Sequence, residues 1–362
     1  MEPTSQLPGV NPLHPGTRVG RWLLPVFAVV ASFLLSGLFI LLARTNPFDG
    51  YRYLLTAGFG CVAPDHCALL TTLQFATPLL LTGLSATVAF RVGLFSIGQA
   101  GQMLLGAAAA AWLSAPLGLP PVAQTLLAIS GGILAGGVWG WIPGLLKVGL
   151  GVNEVITTLL FNQLAFLVIG LFRSYRVAET SRLSVLARGT KLNSGIFLAV
   201  AAAVLVYIYL SHHRAGYEAR MAGEAFPFAR FGGIRGKRAI LNGMLISGGL
   251  AGLAGAIEVL GVHYRFVSVF SGGGGFDGIA VALLGSAHPL GIPLASLLLA
   301  GLRLGATNGL QLKAQVPREL GGAMIAMMIL LVSAPGLIGG WIAGLRAGIA
   351  ARAVRRPPAR NP

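Results

Sequence analysis

The chain has 362 residues, of which 55% are hydrophobic and only 10% charged, with a formal net charge of +16. So few charges cannot cover the surface of a water-soluble fold of this size, so the medium around most of the chain is lipid. In a soluble protein such a positive excess suggests nucleic acid, but here the basic residues lie between apolar runs without aromatics interleaved on a polar face, and no nucleic-acid partner is expected.

Apolar runs recur from Trp22 onward, and a bilayer core of about 30 Å takes about 20 helical residues to cross. Lipid offers backbone groups no partners, so these runs are helices; the alternation of a membrane β-barrel is absent from the sequence. The first run, Trp22 to Leu42, follows Arg18 and Arg21. It is too long for the apolar core of a secretory leader, and Ala43-Arg44-Thr45-Asn46 is no small-residue cleavage site, so it reads as a retained helix behind a cytoplasmic tail over residues 1–21. Cys61 and Cys67 fall in the next loop, on the outer side, where a disulfide and two unpaired thiols are both open readings.

The further candidate spans are Ala68 to Phe90, Leu94 to Ser114, Val122 to Leu146, Glu154 to Phe172, Gly195 to Leu210, Ala239 to Leu260, Phe276 to Ala287, Gly291 to Gly309 and Glu319 to Val332. Phe276 to Ala287 is short, rising only about 18 Å as a helix, so it either sits among neighbours as a short helix or re-enters. The expected fold is an all-α integral membrane protein with about ten transmembrane helices, a short or broken helix near 276–287, and inverted repeats as a candidate arrangement. The transmembrane domain is expected over residues 22–345, followed by a basic cytoplasmic tail over 346–362.

With both termini inside, ten spans place 15 Lys and Arg residues in cytoplasmic segments and 10 in external ones, with Arg303 left inside a span. That is the direction of the positive-inside bias. Its main exception is the outer stretch Arg173 to Ser194, with Arg173, Arg176, Arg182, Arg188 and Lys191, which reads either as a surface that meets a partner or as a solvated loop. Glycine supplies 52 residues, and the run Gly248 to Gly255 sets small residues at four-residue spacing, which lets helices approach closely. Pro78 and Pro143 lie inside spans and predict kinks.

The longest polar stretch on the cytoplasmic side, Ser211 to Arg238, is amphipathic in its middle: Met221, Ala222, Ala225, Phe226, Ala229 and Phe231 alternate with Arg220, Glu224 and Arg230. Its run from Arg220 to Ile234 resembles the cytoplasmic coupling segment of bacterial ATP-driven (ABC) importer permeases of the branched-chain amino acid, ribose and nucleoside group. That group carries a pattern close to Arg-Ala-Val-Gly-Glu-Asn-Pro-x-Ala-Ala-Arg-x-x-Gly-Ile. Arg220, Gly223, Glu224, Ala229, Arg230, Gly233 and Ile234 fall on it; Ala225 and Phe226 replace the Asn-Pro pair, with Pro227 one place late. Gly151-Val152-Asn153-Glu154-Val155-Ile156 matches the nucleoside and simple-sugar branch. Gly93-Leu94-Phe95-Ser96-Ile97-Gly98-Gln99-Ala100-Gly101-Gln102 is similar to that branch's Gly-x-Phe-Asn-Ile-Gly-x-Glu-Gly-Gln, with Ser96 in place of Asn and Ala100 in place of Glu. Gly275 to Gly285 and Pro289 to Ile292 are similar to its late segment, and the resemblance runs from about Leu79 to Gly336.

The resemblance implies a permease subunit of the bacterial plasma membrane that moves a small polar solute, a nucleoside or simple sugar, with both termini cytoplasmic. It implies as partners an ATPase subunit, a second permease (identical or homologous) and an extracytoplasmic solute-binding protein. Arg220, Gly223, Glu224, Phe226 and Arg230 would meet the ATPase, with Met221, Ala222, Ala225 and Phe226 as apolar anchors. The residues agree that ATP is handled elsewhere: no Gly-x-x-x-x-Gly-Lys-Ser/Thr loop occurs, and Gly232-Gly233-Ile234-Arg235-Gly236-Lys237-Arg238 lacks the spacing and the hydroxyl. No cofactor is therefore expected in this chain; ATP and magnesium belong to the partner.

Polar groups inside spans are costly unless they face a partner or water, which makes them candidates for a solute path. Gln99 and Gln102 lie one turn apart, Asn162 and Gln163 mid-span, and Asn242, Glu258, Asp277 and Asn308 complete the set. Glutamine and asparagine suit a neutral ligand with several donors and acceptors, and Phe95, Phe161 and Phe276 offer faces for a ring; the plain alternatives are satisfied structural carboxylates and packing aromatics. The path is expected to include Phe95, Gln99, Gln102, Asn162, Phe276 and Asp277. The histidines are scattered and no metal or hydrolytic constellation competes. The alternative from another class is an ion-coupled secondary transporter, which needs intramembrane acids, and only Glu258 and Asp277 qualify.

Overall fold

A computed structural model describes residues 34–41, 45–61, 67–116, 118–170, 175–187, 189–266 and 274–333. The expected N-terminal tail, much of the first span, the basic C-terminal tail and the position of both termini lie outside the described residues. Within them the chain is a helical bundle with only isolated bridge pairs between extended residues. In chain order the helices are α1 (34–41), α2 (Pro47–Phe59), α3 (Ala68–Arg91), α4 (Gln99–Leu113), α5 (Pro121–Leu150), α6 (Glu154–Gly170), α7 (Gly195–His212), α8 (Arg214–Glu224), α9 (Phe226–Phe231), α10 (Gly236–Glu258), α11 (Gly274–Leu284), α12 (Gly291–Leu304) and α13 (Arg318–Ser333). A π-helical turn, Val259–His263, extends α10, and another, Gly305–Gln311, extends α12.

By length and composition α3, α5, α7 and α10 with its extension can each cross a membrane. The apolar stretches of α3 and α10 are 78% and 83% buried, against 33% in α5 and α7. The first two are therefore the axis of the bundle, and the second two turn broad leucine and valine faces outward, including Leu126, Leu134, Val204 and Leu205, where lipid is the natural neighbour. On the axis the Ser85 and Ser247 hydroxyls meet at 3.0 Å, and Ser247 also donates to the Ser85 carbonyl at 2.8 Å, so this polar contact is satisfied inside an apolar core.

Glycine sets how closely the helices approach. A Cβ on Gly136 of α5 would lie 2.5 Å from the Gly248 carbonyl oxygen and 2.6 Å from the Gly252 Cα of α10. Gly106 of α4 meets the main chain of Gly252 in the same way, and Gly255 meets the Met103 carbonyl. The small-residue run of α10 thus packs on α5 and α4 by backbone contact, the arrangement its spacing predicts.

Four features differ from or go beyond the sequence expectation. Pro47–Phe59 is a helix that apolar length does not reveal: it has 13 residues, with Asn46 accepting from the Phe48 N–H at 3.0 Å and Pro47 in the first turn. The disulfide Cys61–Cys67 closes the loop between this helix and α3. The span expected from Leu94 starts as a helix only at Gln99, because Gly93 takes a positive φ of 80° and Leu94 to Gly98 run as non-helical chain. Finally, the basic stretch expected on the outer side, over its described residues, is folded onto the end of α10. The Val177 and Leu183 N–H groups donate to the carbonyls of Tyr264 and Leu260 at 3.0 Å each, Lys191 Nζ donates to the Val262 carbonyl, and the Arg182 guanidinium lies 4.9 Å from the Tyr264 ring centroid.

If backbone contact holds α10 to its neighbours, a side chain at Gly252 overpacks the interface, at a cost of about 1–3 kcal/mol. Gly252→Val should therefore lower the thermal midpoint of the purified protein in detergent. Gly149→Val, where an added Cβ meets open space, should leave it close to wild type. Equal midpoints for the two variants would refute the close-packed interface.

Candidate functional site

The segment Leu94 to Gly98 brings non-helical backbone into the bundle, and its polar groups are met by side chains of α6. The Asn162 amide is buried; its Oδ1 accepts from the Gly101 N–H at 2.8 Å and its Nδ2 donates to the Ile97 carbonyl at 2.7 Å. The Thr158 hydroxyl accepts from the Ile97 N–H at 3.2 Å. Ser96 closes the turn itself, with its Oγ accepting from the Gly98 N–H at 3.3 Å and its carbonyl accepting from Gln99 Nε2 at 3.1 Å.

The Gly151-Val152-Asn153-Glu154 motif builds the helix that does this. Gly151, at φ 70°, ends α5 in the left-handed region, and Asn153 Oδ1 caps α6 by accepting from the Val155 N–H at 2.9 Å. Glu154, in the first turn of α6, pairs with Lys147, in the last turn of α5, at 2.7 Å, each charge at the helix end whose dipole favours it. The Trp139 indole N–H then donates to the Phe161 carbonyl at 3.2 Å and ties α5 to α6.

A second short helix meets α4 at its start. The described part of α11 has 11 residues, Gly274–Leu284, a rise of about 16 Å. Gly275 packs on the Cα and N of Ala100, so the first turns of α4 and α11 touch. Gln99 and Gln102 are buried beside this contact, and the Oε1 atom of each has no hydrogen-bond donor among the described residues. Gln102 is walled by Gly98 and Gly140, since a Cβ on either would come within 2.9 Å of its Nε2.

The structure therefore brings Gln99, Gln102 and Asn162 to one buried level, with the first turn of α11 beside them. Phe276 is exposed, and Asp277 ion-pairs with Arg303 of α12. Phe95 is exposed and stacks on Phe90, centroids 4.9 Å apart, on the flank of the non-helical segment. Of the other intramembrane acid, Glu258 lies 3.2 Å from His263 one turn on, across the π-helical extension. Both acids required by the ion-coupled alternative thus have basic partners. The Asp277 to Arg303 pair was missed in the sequence, although a cation inside one span and a carboxylate inside the preceding one was the signal for it.

The loop expected on the cytoplasmic side folds as two helices rather than one amphipathic unit. α8 ends at Glu224, Ala225 breaks the path at φ −149° and ψ 68°, and α9 starts at Phe226 with Pro227 in its first turn, so the late proline marks a helix start after all. Ala222 is buried against the bundle, which corrects its expected role as an anchor for a partner. Among the described side chains the exposed apolar ones are Tyr217, Phe228 and Phe231, and the side chain of Phe226, another expected anchor, lies outside the described residues. Gly223 packs on the end of α3, where a Cβ would lie 2.5 Å from the Arg91 carbonyl oxygen and 2.6 Å from the Gly93 nitrogen. Arg220 is partly buried, while Glu224 and Arg230 are exposed, with Glu224 4.0 Å from Arg91.

Comparison with known proteins adds the decisive observation. Residues 68–333 match the family described as branched-chain amino acid transport system / permease component. The chain belongs to that family. It is 34% identical over 332 residues to the guanosine ABC transporter permease protein NupP of Bacillus subtilis, covering 87% of this chain and 94% of that one. Against the nucleoside ABC transporter permease protein NupB of Lactococcus lactis the identity is 32% over 336 residues, covering 86% and 90%. Against the glucose ABC transporter permease protein TsgB13 of Haloferax volcanii it is 31% over 350 residues, covering 88% and 90%. No solved structure matches. The chain is thus a multi-pass membrane permease subunit of an ABC importer and not an enzyme, which sets the ion-coupled alternative aside; membership implies an ATPase and a solute-binding protein as partners in general.

The hydrogen bonds separate two kinds of polar residue. Asn162→Leu would leave the Gly101 N–H and the Ile97 carbonyl unpaired, at about 1–3 kcal/mol each, and should lower both the thermal midpoint and uptake. Gln102→Leu removes an oxygen that has no donor among the described residues and should lower uptake with a midpoint close to wild type. A midpoint for Asn162→Leu equal to that of Gln102→Leu would refute the anchoring role.

Proposed function

We propose that the permease carries nucleosides, and that the solute passes where the first turns of α4 and α11 meet. The observation that carries this reading is the pair of buried side-chain amide oxygens of Gln99 and Gln102, which have no donor among the described residues, at the head of α4 where Gly275 of α11 packs on Ala100. Discontinuous helices that begin inside a membrane are how transporters present polar groups to a solute. A base and a ribose bring several N–H and O–H donors for such acceptors, and relatives named for guanosine and nucleosides align over most of the chain. Phe95 and Phe276, both exposed, offer ring faces, and Asp277, held by Arg303, fixes α11 to α12. A simple sugar is the second reading, favoured by the relative named for glucose.

ATP and magnesium are taken to be held by the partner ATPase on the face that carries α8 and α9, which is then the cytoplasmic face, with Arg220, Gly223, Glu224, Phe226 and Arg230 in the coupling segment. Phe228 and Phe231, 67% and 92% exposed, are the apolar anchors that fit a partner's groove. The second permease subunit, a copy or a homologue, completes the path.

The complex reconstituted in liposomes, given its binding protein on one side and ATP only on the face bearing α8 and α9, should accumulate labelled guanosine. Unlabelled nucleosides should compete and glucose should not; competition by glucose alone would replace the nucleoside reading with the sugar one. Buried aromatic anchors are each worth about 2 kcal/mol or more at an interface, so Phe228→Ser with Phe231→Ser should weaken ATPase binding by well over tenfold in pull-down titrations. Unaltered binding would move the docking surface elsewhere.

A further inference from the structure

Three elements far apart in sequence converge on Arg91, the last residue of α3. Its Nε donates to the Ala287 carbonyl at 3.0 Å, in the turn between α11 and α12, and its guanidinium lies 4.0 Å from Glu224 at the end of α8. The backbone on either side is locked to the same place: Gly223 packs on the Arg91 carbonyl and the Gly93 nitrogen, and Gly93 opens the segment that leads to Gln99. The turn that receives Arg91 has an unusual backbone, since Ser286 and Ala287 hold φ values of 54° and 47°, which non-glycine residues adopt rarely. A side chain that takes up a carbonyl of that turn helps to set its shape.

From this junction we infer that Arg91 is a positioning residue for coupling: it makes α8, the end of α3 and the α11–α12 turn move as one body. Displacement of the coupling segment then reaches both half-helices of the site, α4 through Gly93 and the chain to Gln99, and α11 through Ala287. The weight rests on the bond to Ala287, because the 4.0 Å contact to the well-exposed Glu224 is a weak surface pair. A lysine at 91 would keep the charge near Glu224 but has no donor at the Nε position of the fork.

The inference rests on the importer reading, and its test has one readout that needs no solute. In the full complex, Arg91→Gln and Arg91→Lys should still co-purify with the ATPase and hydrolyse ATP, while solute moved per ATP falls by about tenfold, the factor one charge-assisted hydrogen bond is worth. A residue with a merely structural role would lower assembly and both activities together. For the second readout, spin labels on cysteines replacing the exposed Glu218 of α8 and Leu290 of the turn report their separation. With Arg91 present, one narrow distance should persist between nucleotide-free and ATP-trapped states; with Arg91→Gln or Arg91→Lys the distribution should broaden or shift between them. Unchanged distances in both variants, or a wild-type transport ratio in both, overturn the inference. Absence of nucleoside transport with these distance effects intact would overturn only the solute assignment.

Discussion

Every feature of this bundle answers to the absence of water in the membrane interior. A main-chain amide left unpaired there costs several kcal/mol, so continuous helix is the default and any departure needs a partner for each freed group. The departure at Leu94 to Gly98 is met by Asn162, which accepts from one side of the break and donates to the other, and by Thr158. Remove that pairing and α4 has no fixed start; with it, a helix can begin in mid-bundle and leave Gln99 and Gln102 at its head. The motif around Asn153 and Glu154 serves the same end one step back, because capping α6 and tying Glu154 to Lys147 holds Asn162 in place.

Close packing is the second consequence. Lipid gives helices little hydrophobic reason to associate with one another, so their contact depends on van der Waals fit, and glycine allows backbone to touch backbone. The crossings of Gly136 with Gly248 and Gly252, and of Gly106 with Gly252, bring α4, α5 and α10 to one column. Gly223 against Gly93 repeats the device at the end of α3, and there it joins the bundle to the segment proposed to meet the ATPase. A contact made of main chain has little slack, which is why displacement on one side of it must be felt on the other.

Much of this was legible in the sequence, and the failures have physical causes. Apolar length located α3, α5, α6, α7, α10 and α13, because spanning a bilayer imposes a length that few soluble helices share. The same criterion passed over α2, whose 13 residues fall short of a span and whose start is written in Asn46 and Pro47 instead. It also ran α4 back to Leu94, because Leu94, Phe95 and Ile97 are apolar whether or not the chain is helical, and only Gly93 and Ser96 carry the turn. Asn162 is polar and mid-span, which marks it as a candidate for the solute path; hydropathy carries no record of the backbone groups that it also bonds. The amphipathic stretch around Ala222 pointed to a partner, but an apolar stripe does not distinguish a face turned to a partner from one turned to the chain's own bundle, and Ala222 takes the second.

The two departures from the nucleoside and simple-sugar pattern now have neighbours. Ser96 needs no longer side chain, since its hydroxyl closes the turn that starts α4 and its carbonyl holds Gln99. Ala100 lies against Gly275, where a side chain at 275 would collide with the Ala100 backbone, so glycine there permits the two helices to meet. The Gln99 and Gln102 oxygens are then the uncharged polar groups left at the head of α4. A neutral donor-rich solute satisfies them without the desolvation cost that a charged one would add.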